Sequence, residues 1–440
     1  MRSVTTARTI ARTLAVIAIA NLLFVVLLLV APHDPDRVAT RISTAFATGE
    51  LGTVEYRRGD IRRGWHQYND CTILQMLSDR DPSRVAQSFA PRMSFLRSDP
   101  EANYSCGALR AIAVGGASRD TMMAFRYARY WHGYMVPAAI ALQVMDLVHL
   151  RLLLLVAVYA AIALLLFAAL RSGEHTRRTG FAIAVSAALF WATPFFAPGI
   201  THGPGDAVLL LALAVLVLRP TIAGDLGTLL PYAAGFGAVV VFFEMLTGQL
   251  PIAAAWLAAL VLAAARDEAQ PGTPDARIRS VAALGAFAIG GVITVAVKQV
   301  IAELFAEPTA GAVFVTKLSS YARMPESRNG IPGVFLPYIE LVRHMYVLTA
   351  WRYLAGMLLA ALLALALLWD VVRGWRQRRT VRGRDVLFLL GLTLIPAVWV
   401  LILPSHTLMH ASFMVRMMVV PISLALAALV WPSNGEAATS

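Results

Sequence analysis

The sequence predicts an all-α integral membrane protein of about ten transmembrane helices, with a long extracytoplasmic first loop that carries interfacial helices. Three observations predict it. The 440-residue chain is 58% hydrophobic and only 15% charged, against about half and a quarter in soluble domains. The apolar residues gather into runs of about 18 or more, the length that crosses roughly 30 Å of hydrocarbon. The net charge of +12 is concentrated in short arginine clusters between those runs, where it reads as a topology signal rather than a nucleic-acid surface.

The expected spans run from Thr13 to Ala31, Val148 to Leu170, Gly180 to Phe196, Ala207 to Leu218 and Leu229 to Leu246. They continue from Pro251 to Ala265, Val281 to Leu304, Trp351 to Val372, Val386 to Leu403 and Phe413 to Trp431. The fourth and sixth are short and read as tilted or partly re-entrant. Arginines precede the first span (Arg2, Arg8, Arg12) and follow the second (Arg171, Arg177, Arg178), fourth (Arg219), sixth (Arg266, Arg277, Arg279) and eighth (Arg373 to Arg384). The alternate connections "APGITHGPGD", "TGQLP" and "PSHTLMHAS" contain no Lys or Arg. Cytoplasmic loops are the basic ones, so both termini are expected inside and the first span is expected to stay as an uncleaved anchor. Five segments follow: 1–31, the cytoplasmic N-terminus and first helix; 32–147, an extracytoplasmic loop; 148–304, helices two to seven; 305–350, a second outer loop; and 351–440, the last three helices and a cytoplasmic C-terminus.

The chain's two cysteines, Cys71 and Cys106, both lie in the first loop. An oxidising compartment favours a disulfide between them, which would staple the stretch "HQYNDCTILQM" and fix its acid, Asp70. That loop also holds Asp34, Asp36, Asp60, Asp79, Asp81 and Asp99. Asp70 stands out by its apolar and aromatic flanks, and it is the candidate catalytic acid. Further on, "MMAFRYARYWHGYMVP" reads as an interfacial helix, a break near Gly133, and a second short helix leading into span two. Interface anchoring explains its aromatics, while Arg126, Arg129 and His132 are the candidates for an anionic lipid headgroup, since guanidinium forks match phosphate oxygens.

Charges within spans are costly and mark function. Glu244 in "VVVFFEMLTG", Lys298 in "ITVAVKQVIAEL" and Arg416 in "FMVRMMVV" all fall at outer span ends. A Glu244–Lys298 ion pair of structural purpose is one reading; a shared outer-leaflet site is the other. His202 with Asp206, and His406 with His410, lie in outer connections. The last two share a helical face at a metal-ligand spacing, but no third ligand is defined. Hydrogen bonding to phosphate or sugar, or plain packing, serves equally, so no cofactor is assigned, with a divalent metal as the alternative.

The segments "YNDCTIL", "YARYWHGYMV", "VFFEMLTGQLP" and "SHTLMHASFMVR", on this architecture, resemble an uncharacterised bacterial membrane family similar to the GT-C glycosyltransferases. The resemblance implies an enzyme of the bacterial cytoplasmic membrane, moving a sugar from a polyprenyl-phosphate donor to an envelope glycan, lipid or protein acceptor at the outer face. It implies that an acid of the first loop acts at the site. That role falls on Asp70, although Asp34 and Asp36 in "PHDPD" lie nearer the first span, where the superfamily acid often sits. Glu244 joins Asp70 as the catalytic pair. Arg126, Arg129 and Arg416, with Lys298, would hold the phosphate, and Glu244 and the outer histidines His202 (beside Asp206), His406 and His410 would shape the sugar pocket. A transporter or flippase of lipid-linked sugars would show inverted repeats. An O-antigen-type ligase would carry its main outer loop late. A non-catalytic scaffold would need no buried charges. No P-loop or dinucleotide fingerprint is present, and the partners expected are the lipid-linked sugar, its acceptor and membrane lipids, with no nucleic acid.

Overall fold

The structure is a computed structural model that describes residues 2–53, 67–96, 105–116, 122–191, 193–244, 246–269, 274–348 and 381–432. The expected eighth span, Trp351 to Val372, lies outside the described residues. Among the described residues, seven helices are long and apolar enough to cross a membrane. They are Thr6–Val30 (within α1, Arg2–Val30), Leu147–Leu170, Leu226–Phe243, Gln249–Asp267, Ala276–Phe305, Arg382–Ile402 and Ala411–Leu429. A shorter apolar helix, His202–Leu218, packs among them.

Between α1 and the second long helix stand α2 (Pro35–Ala47), α3 (Gln67–Leu77), α4 (Arg84–Phe89), β1 (Arg92–Leu96), α5 (Ser105–Ala113), β2 (Met122–Arg126) and α6 (Met135–Ala141). The bundle continues with α7 (Leu147–Leu170), α8 (Glu174–Phe190), α9 (Thr193–Phe196), α10 (His202–Leu218), α11 (Thr221–Gly224), α12 (Leu226–Phe243), α13 (Gln249–Asp267) and α14 (Ala276–Phe305). α15 (Ala310–Ala322) and α16 (Leu336–Leu348) form the second long connection.

Two expectations need correction. The stretch 122–126 is not helical: it is a strand paired antiparallel with β1, with Arg92 opposite Arg126. The ladder satisfies its backbone groups, and Asp79 and Asp81 neutralise the facing arginines. Arg126 lies 2.7 Å from Asp81, and Arg92 lies 3.2 Å from Asp79. Tertiary pairing of this kind outweighs a helical reading of a short mixed segment. The third expected span is also broken, into α8 and α9: α8 ends at Phe190, four residues before Pro194, which has no N–H to donate to the Phe190 carbonyl and whose ring clashes with it.

The bundle is built on small residues. The central helix α13, with the alanine-rich run AAAWLAALVLAAA, is almost wholly buried. Where α12 crosses α14, a Cβ on Gly237 would sit 2.0 Å from the Phe287 carbonyl, and one on Gly290 would sit 2.0 Å from that of Ala234. Backbones approach this closely only through glycine, the usual device for helix packing in lipid. The outer faces of α1 and α14 instead expose Ile19, Leu22, Val292 and Leu304, the side chains a bilayer would cover.

The first loop folds as a cap. Cys71 and Cys106 are disulfide-bonded, joining α3 to α5. Gln75 extends the staple: its Nε2 donates to the Ser105 carbonyl at 2.8 Å, and its Oε1 accepts the Ser94 N–H at 2.9 Å. Lys298 of α14 reaches up into the cap and donates to the carbonyls of Phe89 and Ala128, at 2.8 and 2.7 Å. At the opposite, arginine-rich face, Arg266 grips Asp385 with two 2.7 Å bonds.

Candidate functional site

The cap meets the bundle around a cavity of about 150 Å³. Its walls come from α3, from the turn Tyr127–Tyr134, from the end of α12 and the start of α13, from α15, and from the connection holding His406 and His410. The two short connections among them, at Thr247 and at His406 and His410, carry no Lys or Arg and lie at the cap end of the bundle.

The turn is held tightly. His132 has φ of 60°, a left-handed conformation costly for a bulky residue. The next residue must be glycine: Gly133 N–H donates to the Phe242 carbonyl at 2.9 Å, and a Cβ there would strike the Phe242 ring and carbonyl at about 2.5 Å. This docking sets Tyr127, Arg129, Tyr130, His132 and Tyr134 against the end of α12. Trp131 seals the joint by donating to the Thr294 carbonyl at 2.8 Å.

Glu244 follows the last residue of α12 in extended conformation. Its Oε1 accepts the Thr247 N–H, while its buried Oε2 has no partner among the described residues. Burial pushes the Glu244 carboxyl up to about 7, against the opposing pull of Arg416 and of the Thr247 hydroxyl and N–H. Arg129 stacks on Tyr127, 4.6 Å from the ring centre, and donates to the Tyr321 hydroxyl of α15 at 2.9 Å. No carboxylate pairs with it among the described residues, so its charge faces the cavity.

The histidines are neutral. His132 Nε2 lies 2.7 Å from the Tyr127 carbonyl, which can only accept, so that nitrogen carries the proton and Nδ1 accepts from the Tyr134 hydroxyl at 2.8 Å. His406 Nε2 donates to the Leu246 carbonyl at 3.2 Å, leaving a lone pair on Nδ1 that has no partner among the described residues. Burial lowers His132 and His406 to about 3 and His410 to about 4, helped by Arg129 nearby. Among the described residues no group of three or more His, Cys, Asp or Glu side chains could hold a metal ion.

The structure therefore brings together Glu244, Arg129, His132, His406 and His410, and sets the other expected site residues elsewhere. Asp70 does not line the cavity: Arg151 of α7 donates to its Oδ2 at 2.7 and 3.2 Å, and the Ile200 N–H donates to its Oδ1 at 2.9 Å. Arg126 is taken by Asp81 and the Ala90 carbonyl. Lys298 is taken by the two cap carbonyls, so it forms no ion pair with Glu244. Arg416 is buried behind the cavity, bonded to Asp206 and, at 2.8 Å, to His202 Nδ1; Gln249 also donates to Asp206 at 2.6 Å. Asp34 caps α2 by accepting the Arg37 N–H, and Asp36 pairs with Arg80 in solvent.

Sequence reasoning missed the tyrosines. Tyr68, Tyr127, Tyr130, Tyr134 and Tyr321 all border the cavity. Three of them stand in "YARYWHGYMV", where they read as interface anchors. It also missed Arg151, whose place in the first turn of an apolar helix was a signal of the same kind as Arg416. No family model matches the chain, and no curated protein or solved structure matches it.

Proposed function

We propose that this protein is a glycosyltransferase of the bacterial cytoplasmic membrane, taking sugar from a polyprenyl-phosphate donor at the outer face. The full bundle has ten spans, and the cavity lies at the outer leaflet because the basic connections belong to the cytoplasmic side. The observation that carries the reading is the pairing of functions in one cavity. Among the described residues, Glu244 has a carboxylate oxygen with no partner, and Arg129 has a guanidinium with no carboxylate. A base and an anion holder are the two groups that sugar transfer from a lipid phosphate requires.

In this mechanism the acceptor hydroxyl attacks the anomeric carbon as its proton passes to Glu244. The bond from that carbon to the phosphate oxygen breaks, and polyprenyl phosphate leaves with its negative charge held by Arg129 and the Tyr321 hydroxyl. One displacement inverts the anomeric centre and needs no enzyme nucleophile. Asp70 then acts at a distance, as a positioning residue that sets the α3 side chains Tyr68 and Thr72 at the wall. The acceptor is an envelope glycan, lipid or surface protein.

The test is transfer of labelled sugar from a panel of polyprenyl-phosphate donors by the purified protein in membrane vesicles. Glu244→Gln and Arg129→Gln are expected to lose at least about a hundredfold in rate, in the range for removing a general base or a charge-stabilising donor. Rates near wild type for both variants would reject the assignment.

A further inference from the structure

We infer that the wall formed by Glu244, Thr247 and His406 takes a neutral sugar, one that donates hydroxyls and carries no carboxylate or further phosphate. The inference rests on the transferase reading above and names the substrate class of the same site.

The first argument is the inventory of polar atoms without partners. Glu244 Oε2 and His406 Nδ1 are buried and unpartnered among the described residues, and the Thr247 hydroxyl, which makes no well-formed hydrogen bond there, lies beside the Glu244 carboxylate. They belong to one patch, because His406 bonds the carbonyl of Leu246, the residue before Thr247. Two of the three, the carboxylate oxygen and the imidazole lone pair, accept hydrogen bonds, and the threonine hydroxyl does either. Buried polar atoms in native proteins find partners, so a ligand that completes this patch must bring donors. The hydroxyls of a sugar ring do so, whereas a carboxylate or phosphate brings only acceptors.

The second argument is charge. Arg129 is the one guanidinium on the described cavity lining, and Glu244 the one carboxylate. His132, His406 and His410 are neutral by their hydrogen bonds and burial. The neighbouring buried cations are committed, Lys298 to two carbonyls and Arg416 to Asp206 and His202. Lys317 is exposed and borders only a hollow at the rim beside Arg129. A sugar joined to a prenyl chain through one phosphate carries one negative charge, which Arg129 matches. A second anion on the sugar would meet Glu244 with no further cation on the described cavity lining to pair with it, and like charges set against each other in a dry site are strongly disfavoured.

The experiment uses the full chain in detergent micelles and measures ligand-dependent thermal stabilisation. The probes are short-chain polyprenyl phosphates carrying a panel of neutral hexoses and pentoses, each hexose paired with its uronic acid counterpart. At least one neutral donor is expected to stabilise the protein, with its uronate on the order of a hundredfold weaker. Thr247→Val is expected to weaken the neutral donor about three- to tenfold, the range for one lost hydrogen bond. Equal binding of a neutral donor and its uronate would overturn the neutral-sugar inference while leaving the transferase reading intact. No binding by any member would overturn both. The wild-type comparison decides the question even if the valine variant fails to fold.

Discussion

Arg151 holds Asp70 by two hydrogen bonds to a single carboxylate oxygen, from Nη2 at 2.7 Å and from Nε at 3.2 Å, with both side chains buried. The pair joins the cap to the first turn of α7, so its purpose is visible in stability. Breaking one partner of a buried pair leaves an uncompensated charge and costs about 3–5 kcal/mol. Asp70→Asn and Arg151→Met should each lower the unfolding midpoint by this order, and the double variant should recover part of the loss. Thermal scans in detergent measure it. A stable but inactive Asp70→Asn protein would instead give Asp70 a direct part in the chemistry.

Glu244 makes a pH prediction. A base works in its ionised form, so transfer should rise with pH and level off around a midpoint near 7, where burial places this carboxyl. Stability should move the other way. The folded protein binds the Glu244 proton more tightly than the unfolded chain, so stability falls as pH rises from the ordinary glutamate value of 4.5 through about 7. Rate and unfolding profiles of the wild type and Glu244→Gln check both signs. A Glu244→Gln stability profile that keeps the same slope would remove Glu244 as its source.

Gly133→Ala tests the docking of the cap turn. The added methyl would meet the Phe242 ring and carbonyl at about 2.5 Å, and the bond from the Gly133 N–H to Phe242 would have to give way. Overpacking of this kind costs about 1–3 kcal/mol. Activity should fall with it, because Arg129 and His132 ride on the same turn. An alanine variant with wild-type melting and turnover would show that the joint is not rigid.

The disulfide gives a fourth prediction. Cys71 and Cys106 are 35 residues apart, and closing a loop of that length stabilises by roughly 3–4 kcal/mol in the chain-entropy account. Reduction, or Cys71→Ser with Cys106→Ser, should loosen the cap more than the bundle. Limited proteolysis would then cut within the first loop while the long helices stay protected. Unchanged protection of the cap would mean that Gln75 and its neighbours hold it without the bond.

How much of this could be read in advance differs between fold and site. Long apolar helices and arginine-marked connections were legible because hydropathy and charge are properties of each segment alone. Glu244 and Arg129, which both line the cavity, were conspicuous in sequence for a related reason: one is an acid at a span end, the other an arginine among aromatics. Arg126 looked identical to Arg129 in sequence, three residues away in one polar segment. The two were separated only by the fold: pairing with β1 brings Arg126 to Asp81, in the turn before α4, while Arg129 meets no acid among the described residues. Lys298 and Arg416 were expected to hold the phosphate, but neither lines the cavity, because their partners lie far along the chain, in the cap carbonyls and on α10.

The sequence by itself determined that this chain builds helices long and apolar enough to cross a membrane, and that both cysteines lie in the one long connection after the first of them. Those follow from the cost of polar groups in lipid, which each segment feels alone. Only the tertiary structure decided which charges are spent on each other and which face the cavity. That depends on which donor lies within about 3 Å of which acceptor, and contacts between Arg151 and Asp70, or Gly133 and Phe242, exist only once distant segments have packed.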